Sequence, residues 1–548
     1  MIDERQTVVG GGLAVGGVDG IPGAAEAVKQ ALADGVPSKL VAKDPTLWGP
    51  EAEAEARIRL GWIDLPQTSR DLLDGIATLR DELSAEGLDH VVLAGMGGSS
   101  LAPEVITRTL GVGLTVLDTT DPHQVRAALA DRLDRTVVVV SSKSGGTVET
   151  DSHRRAYHQA FLDSGLSEEE AGRRFVVVTD PGSPLEATAA EFGARAVFLA
   201  DPNVGGRYSA LTAFGLVPSA LAGVDVAELL DQAADIAQTL GGDGPALALG
   251  AALGAAAEAG RNKLVIAEDG SGIVGLGDWA EQLIAESTGK DGKGILPVVV
   301  ESPTAHGVEG PDVLFATVGG AIRADGIEPE YGAGPKPDIT VNGPLGGHFL
   351  AWEYATAVAG RILGINPFDQ PNVAESKANT ARILESGPPA TTPAFVDGAI
   401  EVYGDANLLG EASDIADALT ALLDAVDERG YLAVLAYLDR FGDADAAQLR
   451  SLLAERTPRP VTFGWGPRFL HSTGQYHKGG PQAGAFLQLT GVVTEDLPVP
   501  GKPYTFGVLQ AAQAAGDLEA LSGRGRPALR LHLTDRAAGI AQLVAAFR

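Results

Sequence analysis

Short β-branched runs that end in glycine- and serine-rich turns constrain this chain more than any other feature. HVVLAGMGGSS, TVVVVSSKSGG and FVVVTDPGSP each pass from a strand-like run into a turn and then into a helical stretch. Uniformly apolar strands that alternate with helices are typical of parallel sheets covered on both faces. The sequence therefore predicts an α/β fold built from doubly wound parallel sheets.

The length of the chain requires more than one such sheet. A chain of 548 residues exceeds the size at which a single hydrophobic core stops growing. The same alternation resumes at NKLVIAEDG and continues through GILPVVVESP and PDVLFATVG. We predict an N-terminal helical arm at 1–55, a first domain at 56–240 that carries the phosphate loops, and a second domain at 241–390. A C-terminal α/β segment at 391–548 should be part of the second domain or pack on it.

The charge balance excludes several classes of partner. The chain has 41 basic and 72 acidic residues, a formal net charge of −31, which disfavours nucleic acid and anionic membrane surfaces. It has no cysteine, so disulfides and thiolate metal sites are ruled out. Neither a signal-peptide pattern nor an apolar run of membrane-spanning length is visible, and we expect a cytoplasmic location.

Two strand-to-helix turns, the first at residues 95–100 and the second at residues 141–147, predict a site for a phosphate monoester. In a doubly wound sheet both turns lie at the carboxyl ends of strands, where helix N-termini present free N–H groups to anions. Neither turn matches GxxxxGK[ST] or GxGxxG, so a nucleoside triphosphate and a dinucleotide are disfavoured. The candidate phosphate-binding residues are Gly98, Ser99, Ser142, Lys143, Ser144 and Thr147.

Five motifs in order resemble the phosphoglucose isomerase family. They span roughly residues 90–380 and are VVLAGMGGSSLAP, SSKSGGTVET, NVGGRYSALTAFGL, WAEQLIAESTGK and INPFDQPNVAESK. The resemblance implies two doubly wound domains of the sugar-phosphate-isomerase (SIS) type, followed by the C-terminal extension. FGWGPRFLHSTGQYHKGGPQ is similar to the isomerase half of transaldolase–phosphoglucose-isomerase fusions, and we expect a stand-alone isomerase of that branch.

The resemblance also implies an activity and roles for residues. It implies interconversion of glucose 6-phosphate and fructose 6-phosphate through a cis-enediol, in glycolysis and gluconeogenesis. Glu286 would move the proton between C1 and C2, and Arg207 would stabilise the enediolate. Lys377 would act at the ring oxygen, while Gln282 and Gly206 would contact the substrate.

The histidine that opens the sugar ring is harder to place. His477 precedes a Lys-Gly-Gly-Pro turn that should hold its ring at a loop edge, and we assign it as the catalytic histidine. His471 is the next choice, followed by His306 and His348. In the family this histidine often comes from a neighbouring subunit, so we expect a homodimer with residues 471–481 at its interface.

The remaining alternatives concern the substrate range of the enzyme and other functional classes of protein. The chemistry requires no cofactor and no metal, and His153 and His158 lack metal-ligand spacing. A bifunctional phosphoglucose/phosphomannose isomerase would also accept mannose 6-phosphate, and a non-catalytic sugar-phosphate sensor would not need Glu286, Arg207 and Lys377 together. A transaldolase barrel is disfavoured because eight βα repeats are not visible.

Overall fold

The computed structural model describes residues 7–322, 334–387 and 391–547. Its N-terminal segment begins with a β-hairpin, whereas we expected a helical arm. The hairpin consists of β1 (Thr7–Gly10) and β2 (Leu13–Gly16), and β2 is buried throughout. The helices that follow are α1 (Ala24–Ala33), α2 (Val36–Val41), α3 (Glu53–Ala56), α4 (Leu65–Thr68) and α5 (Leu73–Ala85).

The first unit is an all-parallel five-stranded sheet with the strand order β4-β3-β5-β6-β7. Its strands are β3 (His90–Gly95), β4 (Thr115–Leu117), β5 (Thr136–Ser141), β6 (Phe175–Thr179) and β7 (Ala196–Leu199). Its helices are α6 (Leu101–Thr109), α7 (Pro122–Ala130), α8 (Val148–Asp163), α9 (Glu168–Gly172) and α10 (Pro184–Glu191). The central strands are buried along their whole length because helices cover both faces, while the edge strand β7 is partly exposed.

The second unit is a six-stranded sheet with the order β1-β2-β11-β10-β8-β9. The N-terminal hairpin joins this sheet, because β2 pairs antiparallel with β11. Its other strands are parallel: β8 (Lys263–Glu268), β9 (Leu296–Val299), β10 (Val313–Gly319) and β11 (Ile339–Asn342). The accompanying helices are α12 (Val226–Ala237), α13 (Pro245–Glu258), α14 (Leu276–Thr288) and α15 (Leu345–Ile362). Helix α11 (Ala213–Leu221) packs on the first sheet, and α16 (Val373–Ser386) packs on the third unit.

The third unit, residues 395–547, has a six-stranded sheet of its own with the order β12-β13-β17-β16-β14-β15. Its strands are β12 (Phe395–Asp397), β13 (Ile400–Gly404), β14 (Tyr431–Tyr437), β15 (Val461–Trp465), β16 (Gly484–Gly491) and β17 (Ala528–Leu533). Its helices are α17 (Ala406–Leu409), α18 (Ile415–Asp424), α19 (Gln448–Ala454), α20 (Gly474–Gly479), α21 (Phe506–Ser522) and α22 (Arg536–Phe547). Strands β14–β17 are parallel, and β12 and β13 extend the sheet in antiparallel fashion.

The hydrophobic cores join the three units. One large core combines side chains of the first and second sheets, and another combines Val265 and Leu296 of the second sheet with Leu435 and Phe486 of the third. The third unit also has an interior of its own around Val434 and Leu531. Within the described ranges no helix is both long enough and apolar enough to cross a membrane.

Candidate active site

Two glycine-containing turns lie side by side at the carboxyl edge of the first sheet. Strands β3 and β5 are parallel neighbours in which Gly95 pairs with Ser141, so the turns that follow them emerge together. Gly97 (φ 56°) and Gly145 (φ 68°) have left-handed backbone, which glycine adopts without steric cost. The second turn leads into the N-terminus of α8, where unpaired N–H groups and the helix dipole favour an anion.

Two hydroxyl groups of the second turn lie close together. The Ser142 Oγ and Thr147 Oγ1 atoms are 2.9 Å apart, and Ser142 is buried. Ser144 is exposed, and its Oγ accepts the Gly146 N–H at 3.3 Å. Lys143 forms an ion pair with Asp180 beyond the end of β6. The turn therefore offers hydroxyl and backbone donors directly, while its lysine has a carboxylate partner.

The first turn is packed against the Gly205–Arg207 segment. A Cβ added at Gly98 would lie 1.9 Å from the Gly206 carbonyl oxygen, so a side chain cannot be accommodated there. The Ser209 hydroxyl donates to the Gly98 carbonyl at 3.3 Å, and Ser99 is buried beside it. Gly206 itself faces open space. These contacts bring the first turn next to Arg207.

Helix α14 carries a buried carboxyl group opposite a buried guanidinium. Glu286 is 6% exposed and Arg207 is 3% exposed, and the Arg207 Nη1 atom lies 3.5 Å from the Glu286 Oε2 atom. Burial raises the pKa of Glu286, and the positive charge of Arg207 is the strongest opposing influence. Gln282, one helical turn earlier, is also buried, and its Oε1 atom has no hydrogen-bond partner in the structure.

Two cations hold the segment that precedes α16. The Arg207 Nη2 atom donates to the Phe368 carbonyl at 2.8 Å and the Asp369 carbonyl at 3.0 Å. The buried Lys290 ammonium donates to the carbonyl groups of Asn366 and Asp369, both at 2.7 Å. Burial lowers the pKa of Lys290 to about 8, and the nearby Arg207 acts in the same direction. Arg207 and Lys290 thus fix the segment that leads into the helix of Lys377.

A cleft of about 240 Å³ connects the second phosphate turn with α16 and the third unit. The exposed Lys377 lies in its wall. The full lining is Gly146, Thr147, Val148, Glu149, Lys377, Thr380, Ala381, Leu384, Leu470, His471 and Gln513. The structure therefore brings Thr147, Lys377 and a histidine to one cavity.

The histidine in this cleft is His471. Its Nε2 atom lies 3.1 Å from the Glu149 Oε1 atom. Burial opposes ionisation of Glu149, yet the neighbouring His471 holds the pKa of that carboxyl below its usual value. The backbone oxygen of His471 packs against Gly97, where an added Cβ would lie 2.9 Å from it. His471 is therefore held between the first phosphate turn and the carboxyl group of Glu149.

The expectation that His477 sits at a loop edge is wrong. His477 belongs to α20 and is 1% exposed. Its Nδ1 atom is hydrogen-bonded to the Tyr431 hydroxyl at 2.9 Å, and its ring stacks on Tyr431 and packs edge-on against Phe486. Burial lowers the pKa of His477 well below its usual value. This geometry describes a neutral core histidine, so we move the catalytic assignment to His471.

The two other candidate histidines also lie elsewhere. His306 is exposed and pairs with Glu455 at 3.2 Å. His348 is completely buried in α15, where its Nε2 atom lies 3.0 Å from the Gly319 carbonyl oxygen. Burial lowers the pKa of His348 to about 4. Neither lines the cleft.

Comparison with known proteins identifies the family. The sequence model of the family described as "Phosphoglucose isomerase" matches residues 78–241. The glucose-6-phosphate isomerase of Rubrobacter xylanophilus is 32% identical over 387 residues, which cover 58% of this chain and 88% of that protein. The chain belongs to the phosphoglucose isomerase family. The glucose-6-phosphate isomerase of Parabacteroides distasonis is 28% identical over 392 residues, which cover 59% of this chain and 87% of the relative.

Solved structures agree with the fold of this phosphoglucose isomerase family member. A hypothetical protein from Thermus thermophilus matches with a TM-score of 0.54 and 25% identity, over 69% of this chain and 99% of that chain. A glucose-6-phosphate isomerase from Chlamydia trachomatis matches with a TM-score of 0.51 and 19% identity, over 69% of this chain and 90% of that chain. The predicted fold class of SIS-type parallel-sheet units with a C-terminal α/β extension is confirmed.

The sequence analysis of this family member gave no role to Glu149 and Gln513, which line the cleft and are hydrogen-bonded to each other. Glu149 lies two positions beyond Thr147 within SSKSGGTVET, so the motif contained it without indicating a role. Gln513 lies in α21 and is not part of any motif that we recognised. No group of three or more potential metal ligands is found in the part of the chain that the structure describes, and independence from metal stays a prediction.

Proposed function

We propose that this chain interconverts glucose 6-phosphate and fructose 6-phosphate by ring opening and proton transfer through a cis-enediol. The observation that carries the proposal is the buried Glu286–Arg207 pair beside the two phosphate turns. A base whose pKa is raised by burial removes a carbon-bound proton more readily than an exposed carboxylate. The phosphate turns would fix the substrate so that its C1 and C2 atoms face this base.

Isomerisation then needs one base and one positive charge. Glu286 takes the proton from C1 of the open-chain ketose, while the electrons of that bond form the C1=C2 bond and the carbonyl oxygen becomes negative. Arg207 stabilises this developing charge, a role that suits a permanently protonated guanidinium. The proton of the O1 hydroxyl then passes to the negative O2, and return of the carbon-bound proton from Glu286 to C2 leaves C1=O1 as the carbonyl group of the aldose. Gln282, with its unpartnered buried oxygen, is placed to bind a substrate hydroxyl.

Ring opening precedes isomerisation, and it adds one proton to the substrate and removes another. The ring C–O bond breaks, the ring oxygen gains a proton, and the anomeric hydroxyl loses one. We assign the ring oxygen to Lys377 and the anomeric hydroxyl to His471, since both line the cleft. When the His471 Nε2–H donates to Glu149, the Nδ1 atom is left to accept the hydroxyl proton.

A coupled assay tests this function. Purified protein is given fructose 6-phosphate in the presence of a chelator, and the glucose 6-phosphate formed is measured with a dehydrogenase. We expect turnover that the chelator leaves unchanged. A second series with mannose 6-phosphate decides whether the enzyme is a bifunctional phosphoglucose/phosphomannose isomerase. Absence of turnover with either substrate would leave the sensor as the better hypothesis.

We further propose a cytoplasmic location, a role in glycolysis and gluconeogenesis, and a homodimeric assembly. Small sugar phosphates are the partners that the family implies. Analytical ultracentrifugation of the purified chain measures the assembly directly.

A further inference from the structure

Three separate parts of the chain meet at the cleft. Glu149 comes from the first unit, Lys377 from the helix that precedes the third unit, and His471 and Gln513 from the third unit itself. Gln513 is 3% exposed and lies on α21, which packs along α16. The third unit therefore contributes side chains to the interior of the site.

The carboxyl group of Glu149 is bound by two side chains of the third unit. Its Oε1 atom accepts the Gln513 Nε2–H at 2.7 Å and lies 3.1 Å from the His471 Nε2 atom. The Thr120 hydroxyl donates to the Gln513 Oε1 atom at 2.7 Å, which turns the amide nitrogen of Gln513 toward Glu149. Glu149 is only 4% exposed, and a buried carboxylate without such donors would be costly.

The third unit is fastened to the first unit on both sides of these residues. The Arg468 Nη1 atom lies 2.6 Å from Asp118, and the Arg536 Nη2 atom lies 2.8 Å from Asp121. An apolar cluster also joins Val125 of the first unit to Phe506 of the third. These contacts hold His471 against the site of its own chain.

Part of this chain lies outside its alignments with the two relatives. The two relatives named above are matched over 88% and 87% of their own lengths, yet these matches use only 58% and 59% of this chain. A large portion of this chain thus has no counterpart in their alignments.

We propose that the third unit completes the active site within a single chain, with His471 acting on the sugar ring and Gln513 acting as a positioning residue that holds Glu149 toward His471. The proposal rests on the isomerase function proposed above. It differs from the expectation that a neighbouring subunit supplies the histidine, and it holds whether or not the chain forms a dimer.

Two inactive variants decide whether the histidine acts in its own chain. Glu286→Gln and His471→Ala are co-expressed with different affinity tags, and molecules that carry both tags are isolated. If the histidine crossed between subunits, one site in each mixed dimer would contain both native residues, and the doubly tagged molecules would regain about half of the wild-type activity. We expect no recovery above the separate variants.

The remaining outcomes are also decisive. If no doubly tagged molecules form, the chain is monomeric, and activity of the wild type shows that one chain suffices. Recovery of activity in the mixed molecules, or full activity of His471→Ala, would overturn the proposal. His471→Gln replaces His471→Ala if the latter does not fold. An inactive wild type would instead remove the proposed function.

Gln513 is tested against Gln510, a buried neighbour on the same helix that donates to Asp121 at 3.3 Å and does not touch Glu149. We expect Gln513→Met to lower kcat for fructose 6-phosphate about tenfold with little change in KM, less than the hundredfold or more typical of losing an acid–base group itself. Gln510→Met should retain the wild-type kcat. Gln513→Asn, whose amide is too short for both contacts, serves if Gln513→Met is unstable.

An open-chain substrate separates positioning from general loss of structure. 5-Deoxyfructose 6-phosphate lacks the hydroxyl that closes the furanose ring, so its isomerisation bypasses ring opening. The Gln513 and His471 variants should regain most of the relative activity on this substrate, whereas Glu286→Gln should not. If the Gln513 variant loses equal activity on both substrates, or behaves like Gln510→Met, Gln513 is not a positioning residue for ring opening.

Discussion

At the scale of single residues, Glu286 illustrates how burial and a neighbouring cation compete for one carboxyl group. Burial raises its pKa, and Arg207 at 3.5 Å opposes this. We predict that Glu286→Gln lowers isomerisation by roughly two to four orders of magnitude, because a general base is lost. Binding of substrate, measured by isothermal calorimetry, should stay near normal. Near-native turnover would exclude Glu286 as the base.

The Arg207 charge should also be visible in the pH dependence of catalysis. The base must be ionised, so kcat falls on the acid side of the pKa of Glu286. Removing the positive charge in Arg207→Met takes away the influence that lowers this pKa, and the acid limb of the kcat profile should move to higher pH. Arg207→Lys keeps a charge and is the matched control. An unshifted limb in Arg207→Met would show that Arg207 does not tune the base.

His477 and His471 show what a local motif can and cannot indicate. Both lie in the same HSTGQYHKGGP stretch, and the glycines after His477 suggested a loop. The structure instead buries His477 against Tyr431 and Phe486, because a short helix turns its ring into the core. The distinction depends on tertiary packing, which no spacing of residues within the stretch encodes.

His477→Ala should therefore behave as a core variant. It leaves the Tyr431 hydroxyl without its partner and opens a cavity, a combination that costs about 2–4 kcal/mol of unfolding free energy. The melting temperature should fall, while kcat of the folded enzyme stays close to the wild-type value. A variant of native stability with lost activity would return the catalytic role to His477.

At the scale of elements, the phosphate site depends on one strand-turn-helix unit. Strand β5, the turn at 142–147 and α8 are consecutive, so a local sequence pattern could predict all three. Contacts between segments far apart in the sequence could not be predicted in this way. Gln513 reaches Glu149 from 364 positions further along the chain. The β1–β2 hairpin joins the second sheet through β11, a pairing that no local periodicity indicates.

We predict that Ser142→Ala combined with Thr147→Ala raises KM for fructose 6-phosphate more than it lowers kcat. The two hydroxyls, 2.9 Å apart, would hold the phosphate equally in the ground state and the transition state. Steady-state kinetics measure both parameters. Thr78→Ala is the control, because the Thr78 hydroxyl is exposed on α5, where it donates to the Asp74 carbonyl at 2.9 Å and is part of neither turn. A fall in kcat at unchanged KM would mean that these hydroxyls do more than anchor the phosphate.

At the scale of the whole molecule, buried ion pairs fasten the third unit to the first. Arg468 contacts Glu104 at 2.5 Å and Asp118 at 2.6 Å, and all three side chains are largely buried. Burial favours the neutral form of Glu104, yet Arg468 and Arg440 outweigh it and lower the pKa of Glu104 to about 2. Since the pKa is depressed in the folded state, the stabilisation is present above the usual value of 4.5 and is lost as the pH falls toward 2.

Arg468→Met should accordingly loosen the third unit. The variant leaves two buried carboxylates without this partner, which lowers the free energy of unfolding by on the order of 3–5 kcal/mol. Arg382→Met is the control, because it removes an exposed ion pair with Glu519 and should lower the free energy of unfolding by no more than about 1 kcal/mol. Differential scanning calorimetry at pH 7 should show a lower melting temperature for Arg468→Met only. The difference in melting temperature between the wild type and Arg468→Met should become smaller as the pH falls from 4.5 to 2. In that range the wild type loses the stabilisation that ionised Glu104 contributes. If the two melting temperatures are equal, or if their difference does not change with pH, this ion-pair cluster does not stabilise the attachment of the third unit.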